Sequence, residues 1–351
     1  MMRGFSAWIL GVAGILGACE LAFRLLPVST ATETGYYADQ LILTYPAHHR
    51  WTMSTGWDLR NAQTLVANNA GFPAERDFFR DEKAVALIGD SYVEASMLKP
   101  IDRPGAQLEA SLVGRPVYAM GGPGSSLLDY AERIRYASKT FGIKDFVVVM
   151  EQFDVQQALC GSENVHGACL DAKTLEPKTI TRPAPSWFKR VFRHSQFAQY
   201  WASQVKLDAQ QLKQGFRTQL AGAEAKPAAG ASTMAGFAGG VEKAQLDAVT
   251  KTFFHRVASY DVNKLVIVFD CARAVRCDQK SEASGYRQQF LLAAKQAGAE
   301  IVDAAALFPA HWNHSALSLS VGPYDGHLNQ LGLQILLRSA ARKLQPKADA
   351  D

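Results

Sequence analysis

Cysteine is scarce in this chain, and none of it is spaced for metal or dithiol chemistry. Five cysteines occur in 351 residues. No pair has the Cys-x-x-Cys spacing of zinc or redox sites. Clustered positive charge is missing too. The net charge of +4 comes from 37 Lys and Arg against 33 Asp and Glu, spread along the chain without a basic block, so no nucleic-acid partner is expected. The glycine-rich stretch Gly121–Gly124 lacks the Lys-Ser/Thr ending of a phosphate loop, which argues against nucleotide binding. His48 and His49 are adjacent and point apart. His311 and His314 have helical spacing but no third ligand beside them. No metal or other cofactor is expected. There is no internal repeat, and long uncharged runs made almost wholly of apolar and small residues are absent except at the N-terminus.

That exception carries an expectation of location. Residues Gly4 to Cys19 bear no charge, and Glu20 and Arg24 then interrupt an apolar stretch ending at Pro27. A helix over residues 5–27 would be ~34 Å long, enough for a bilayer core of ~30 Å. The expectation is a signal anchor over residues 1–28, single-pass in a bacterial inner membrane, with the remainder in the periplasm. Two alternatives stay open. Leu16-Gly17-Ala18-Cys19 resembles a lipobox, which would make Cys19 a lipidated first residue, and simple signal-peptide cleavage is the other. The remaining cysteines agree with export. Cys160/Cys169 and Cys271/Cys277 are close pairs, expected as two short-loop disulfides formed in an oxidising compartment.

A hydrophobic content of 48% with 20% charged residues describes a globular chain of one large or two modest domains. Residues 29–82 read as a mixed extension, with a short strand at Leu41–Tyr45 and a turn at Ala67–Pro73 set up by Asn and Gly. From residue 83 the pattern alternates. Strands are expected at 84–88, 116–120, 146–150, 265–269 and 300–303. Helices are expected at about 127–141, 241–260, 282–297 and 329–343. Such alternation predicts a parallel sheet covered on both faces. Residues 155–240 are too long for a crossover and read as a largely helical insertion, with an amphipathic piece over 187–220 and an Ala/Gly-rich, flexible stretch over 225–240. The sheet domain thus spans 83–154 and 241–345.

The chemistry concentrates in two places. Ala84-Val85-Ala86-Leu87-Ile88 is a buried strand that stops at Gly89-Asp90-Ser91, which puts Ser91 beyond the carboxyl end of a parallel strand, where open α/β sheets carry their reactive groups. Far downstream stands Asp325-Gly326-His327-Leu328-Asn329. A serine hydroxyl is a weak nucleophile until a base takes its proton, and the base is typically a histidine oriented by a carboxylate. Ser91, His327 and Asp325 can fill those roles.

With Asn329 and Gly332 completing His-x-Asn-x-x-Gly, these residues resemble the SGNH (GDSL-like) hydrolase and acyltransferase superfamily, in its membrane-anchored bacterial branch. The resemblance covers about residues 67–154 and 262–343. It implies a three-layer, flavodoxin-like α/β fold with Ser91 as nucleophile. Oxyanion donors would be the Ser91 N–H, the Gly124 N–H and a third-block side chain. The third block of the family usually reads Gly-x-Asn-Asp. Here Glu151-Gln152-Phe153-Asp154 stands in its place, so Phe153 replaces the donor and Gln152 is the substitute. The Asp-x-His spacing is that of polysaccharide acetyltransferase-like branches. The resemblance implies an exported serine esterase acting on O-acyl, chiefly acetyl, groups of a cell-surface or exported glycan. Its partners would be that acylated glycan or a small ester, the membrane through the N-terminal helix, and a membrane-bound acyl donor. A glycan O-acetyltransferase with the same triad is one alternative. A non-catalytic glycan-binding or assembly factor, suggested by Phe153, is the other.

Overall fold

The computed structural model describes residues 2–30, 33–162, 166–182, 186–205, 242–271, 273, 277, 283–322 and 325–345. Its centre is a five-stranded parallel sheet: β1 Val85–Gly89, β2 Val117–Gly121, β3 Asp145–Met150, β4 Lys264–Phe269 and β5 Glu300–Asp303, in the order β2-β1-β3-β4-β5. Register is in step across the middle, with Gly89 beside Gly121 and Leu87 beside Val147. Strands β1 to β4 are apolar and almost wholly buried, because helices cover both faces of the sheet. Alternate residues feed two cores. Ala86, Ile88, Val148 and Ile267 face one, with Leu127, Ile134, Phe253 and Phe290. Leu87, Val147, Val149 and Val268 face the other, with Leu108, Phe308, Leu336 and Leu337.

This order reverses direction between β2 and β3. The crevice beyond the carboxyl ends of β1 and β3 is therefore the switch point at which open α/β sheets bind ligands. The strand expectations agree to within a residue or two, as do the helices Lys243–Ala258, Ala283–Gln296 and Gln330–Leu344. The helix from Leu127 is α-helical to Tyr136 and finishes as a π turn, Ala137–Phe141. Helices that were not anticipated include Pro104–Ser111 and Ala304–His314. The first opens on Pro and has little amphipathic pattern. The second carries Pro309 inside it, and an internal proline reads as a break.

The chain divides into two compact units. The larger comprises Thr34–His49, Val66–Arg182 and Ser232–Asp351 and holds the sheet. The insertion contributes to it a hairpin, Gly167–Leu170 with Pro177–Ile180, tied by the disulfide Cys160–Cys169. The smaller comprises Met1–Glu33, Arg50–Leu65 and Pro183–Ala231. In it the insertion shows short helices at Trp187–Phe192 and Gln196–Gln199 and a π turn at Tyr200–Gln204. The stretch expected to be flexible, 225–240, and the end of the amphipathic piece lie outside the described residues.

The N-terminal expectation is corrected here. A helix does form, Met2–Arg24, but among the described residues no helix is long and apolar enough to cross a membrane. The transmembrane anchor and the single-pass inner-membrane location are therefore not supported. The uncharged run alone, to Cys19, is ~24 Å of helix against a core of ~30 Å. The turns beyond it are engaged in protein contacts. Glu20 pairs with Arg24 at 2.9 Å and accepts from Ser195 Oγ at 2.8 Å, Gln196 N at 3.1 Å and Phe197 N at 3.2 Å. Those donors, Arg24 first, hold its carboxyl down to about 2. Phe23 packs on Phe197 and Tyr200, with ring centroids at 5.4 and 4.6 Å.

Candidate active site

The turn after β1 is built for close approach. A Cβ on Gly89 would stand 2.6 Å from Val93 Cγ2 and 2.8 Å from the Val149 carbonyl. Asp90 then caps a single helical turn, Ser91–Glu94, by accepting from Tyr92 N at 2.9 Å. The turn ends at Ala95 with φ +43°, a left-handed conformation that costs a non-glycine residue about 1 kcal/mol. Such strain is held in place by the surrounding packing, and here it stands four residues from the serine.

His327 reaches the same place from the short strand Asp325–Leu328, which pairs with Ser320–Gly322. Its Nε2 lies 2.8 Å from Ser91 Oγ, and its Nδ1 lies 2.6 Å from Asp325 Oδ1. The carboxylate fixes Nδ1 as the protonated nitrogen, leaving Nε2 to accept the serine proton. Asp325 Oδ1 also accepts the His327 backbone N–H at 3.0 Å, so acid and base share one rigid turn. Asn329 explains the rest of the motif. Its Nδ2 donates to Ser318 O at 2.7 Å and Ser320 O at 3.1 Å, and its Oδ1 accepts from Gly332 N at 3.0 Å. It locks the strand pair and caps the following helix together. A Cβ on Gly332 would stand 2.8 Å from the Leu319 carbonyl.

The electrostatics favour a basic imidazole. Burial pulls the His327 pKa down, but the hydrogen bond and charge of Asp325, with the charges of Asp90 and Glu151, raise it above the ordinary 6.5 on balance. Around it, burial pushes Asp90 up. Burial and the charges of Asp90 and Asp270 push Glu151 up to about 7. Asp90 Oδ2 lies 3.3 Å from Ser91 Oγ.

The structure brings Ser91, His327 and Asp325 into one hydrogen-bonded line. It places the two other residues singled out from the sequence just past the carboxyl ends of the strands that flank β1. Gly124 takes a left-handed bend, φ +70°, in the loop after β2. Gln152 opens the helix Gln152–Gln157 after β3, behind the cap Glu151. The loop carrying Gly124 is held from both sides. Gly122 N donates to Asp90 O at 3.2 Å. His166, buried and kept neutral with its pKa near 4 by burial and by the charges of Arg133 and Arg182, bonds the Pro123 backbone.

Three residues of this site escaped the sequence reading: Arg133, His166 and Arg273. Arg133 is 1% exposed and donates to the carbonyls of Gly89 and Met120 at 2.6 and 3.3 Å and to Ser125 Oγ at 2.5 Å. Arg273 stands between the cysteines of the Cys271–Cys277 disulfide. That bracketing is the one signal in the sequence that could have drawn attention to it.

No family model matches this chain, and no curated protein matches it. Solved structures do. One is a member of the lipolytic protein G-D-S-L family from Veillonella parvula DSM 2008, at 10% identity and a TM-score of 0.40, covering 74% of this chain and 97% of that one. A catalytic mutant of an acetylxylan esterase from Geobacillus stearothermophilus matches at 11% identity and a TM-score of 0.41, covering 77% and 97%. The inhibitor-bound aryl esterase of M. smegmatis matches at 10% identity and a TM-score of 0.33, covering 75% and 98%.

Proposed function

We propose that this chain is a serine esterase of the SGNH type that hydrolyses O-acyl groups, acetyl above all, on a cell-surface or exported glycan. The observation that carries the reading is the line Ser91 Oγ, His327 Nε2 and Nδ1, Asp325 Oδ1, with separations of 2.8 and 2.6 Å. His327 takes the hydroxyl proton as Ser91 Oγ attacks the ester carbonyl. The oxyanion accepts from the N–H groups of Ser91 and Gly124 and from the Gln152 side chain. As the tetrahedral adduct collapses, the bond to the sugar oxygen breaks and His327 gives the proton to that oxygen, which departs as the sugar hydroxyl. Water, deprotonated by the same imidazole, then releases acetate from Ser91. The acetyl and glycan assignments rest on the family resemblance. The two disulfides support an oxidising compartment outside the cytoplasm.

Ser91→Ala should abolish turnover of p-nitrophenyl acetate and labelling by a fluorophosphonate probe while leaving the circular dichroism spectrum unchanged. Undiminished turnover in that variant would refute the assignment. An O-acetylated oligosaccharide should yield free acetate. Appearance of the acetyl group on an added sugar acceptor would instead favour transfer, the chemistry suggested by the Asp-x-His spacing.

A further inference from the structure

Arg273 lies just past the carboxyl end of β4, its side chain 9% exposed, and it makes four polar contacts with parts of the chain far apart in sequence. Nη1 donates to the buried carboxylate of Asp270. Nη2 donates to the carbonyl of Gly326 and lies 3.3 Å from Tyr92 Oη. Nε donates to Ser320 Oγ at 3.1 Å. Gly326 is the residue between Asp325 and His327, and Ser320 belongs to the strand paired with theirs. Tyr92 follows Ser91, its ring lies 5.7 Å beneath the guanidinium, and its centroid is 5.0 Å from the imidazole. One planar cation thus joins the segment carrying base and acid to the turn carrying the nucleophile. A lysine could not match it, because it lacks the fixed fork of donors.

The arginine is itself held. Cys271 and Cys277 bracket it in a disulfide. Cys277 is buried against the apolar core under the last helix, and Cys271 N donates to Asp270 Oδ1 at 2.8 Å. Fixing a long, rotamer-rich side chain costs conformational entropy, and a short closed loop limits the backbone freedom that would add to that cost.

We propose that Arg273 is a positioning residue for His327, and that the Cys271–Cys277 disulfide keeps it in register as part of the same clamp. The proposal rests on the esterase reading, with His327 as base. Misplacing a catalytic group by about 1 Å can cost about 10²-fold in rate, and the clamp acts on geometry at that scale without touching substrate.

The test compares wild type, Arg273→Met, Asp270→Asn/Arg273→Met, Cys271→Ser/Cys277→Ser, and the clamp and disulfide changes combined. The Asp270→Asn change avoids leaving a buried carboxylate without its cation, so the measurement survives if Arg273→Met alone does not fold. Readouts are kcat and KM for p-nitrophenyl acetate and the pH profile of kcat/KM. Expected is a fall in kcat of about 10- to 10²-fold with KM nearly constant. The rising limb of the pH profile should move to lower pH as Asp325 loses its hold on the imidazole. The disulfide variant should fall by a comparable factor, and the combination no further. A folded Asp270→Asn/Arg273→Met protein with wild-type kcat and pH profile overturns the proposal, as do disulfide and arginine losses that multiply. Wild-type protein inert to both the ester and a fluorophosphonate probe would overturn the triad reading itself, and this proposal with it.

Discussion

Arg133 Nη1 donates to the carbonyl of Gly89 at 2.6 Å, joining the helix Leu127–Tyr136 to the last residue of the strand that delivers Ser91. The same guanidinium reaches Met120 O and Ser125 Oγ. A buried cation thus ties the carboxyl ends of β1 and β2 to the loop holding Gly124. Burial lowers its pKa, offset by the charges of Asp129, Tyr130, Asp90 and Glu94.

Arg133→Met should therefore destabilise the fold by about 3 kcal/mol or more, since two buried carbonyls and a hydroxyl lose a charged donor at once. Urea denaturation measures the loss. A change within ±0.5 kcal/mol would mean that these contacts are replaced by others without cost.

Gly121→Ala should damage stability and activity together. A Cβ there would stand 2.2 Å from the backbone N and 2.7 Å from the Cα of Glu94, on the helical turn that begins with Ser91. Backbone atoms cannot rotate away, so the turn must shift. A loss of about 1–3 kcal/mol is expected, with kcat falling more than KM rises. Thermal melts beside ester kinetics would show it, and wild-type values for both would contradict the packing described.

Asp325→Asn should lower kcat by about 10³-fold or more, since neutralising the carboxylate of a Ser-His-Asp triad favours the wrong imidazole tautomer. Only neutral His327 can take the serine proton, so kcat/KM should rise with pH through an apparent pKa above 6.5. In the variant any residual activity should rise at lower pH. An unshifted limb would remove Asp325 from its role.

Glu94 should give the protein a pH-dependent stability. It is 3% exposed, accepts from Tyr45 Oη at 3.1 Å, and is raised by burial from 4.5 to about 7. A carboxyl raised on folding stabilises fully below its unfolded pKa, and that contribution is lost as pH climbs through the folded value. Stability should thus fall between pH 4.5 and about 7 by on the order of 2–3 kcal/mol from this group, with Asp129, raised to about 6, adding to the slope. Glu94→Gln should flatten the curve in guanidinium titrations across that window. An unchanged slope would assign the effect elsewhere.

The five strands and their covering helices were legible because burial on both faces writes a continuous apolar run, and one-sided burial writes a helical period, into neighbouring residues. Gly89-Asp90-Ser91 and Asp325-x-His327-x-Asn329 were legible on other grounds: each is a short local motif, a serine at a strand end and an acid two residues before a histidine, and together they carry the family resemblance. The sequence by itself therefore determined the sheet, the two segments that meet at its carboxyl edge, and the three side chains aligned there. Arg133, His166 and Arg273 were invisible, since a guanidinium or imidazole bonded to carbonyls tens of residues away leaves no periodic trace. The N-terminal run was misread on similar grounds. Its apolar character is local, but contacts made by Glu20 and Phe23 with residues 195–200 arise only after folding. Tertiary structure alone decided which charges became buried clamps, because a charge is stable in the interior only where the folded chain brings its partners to it.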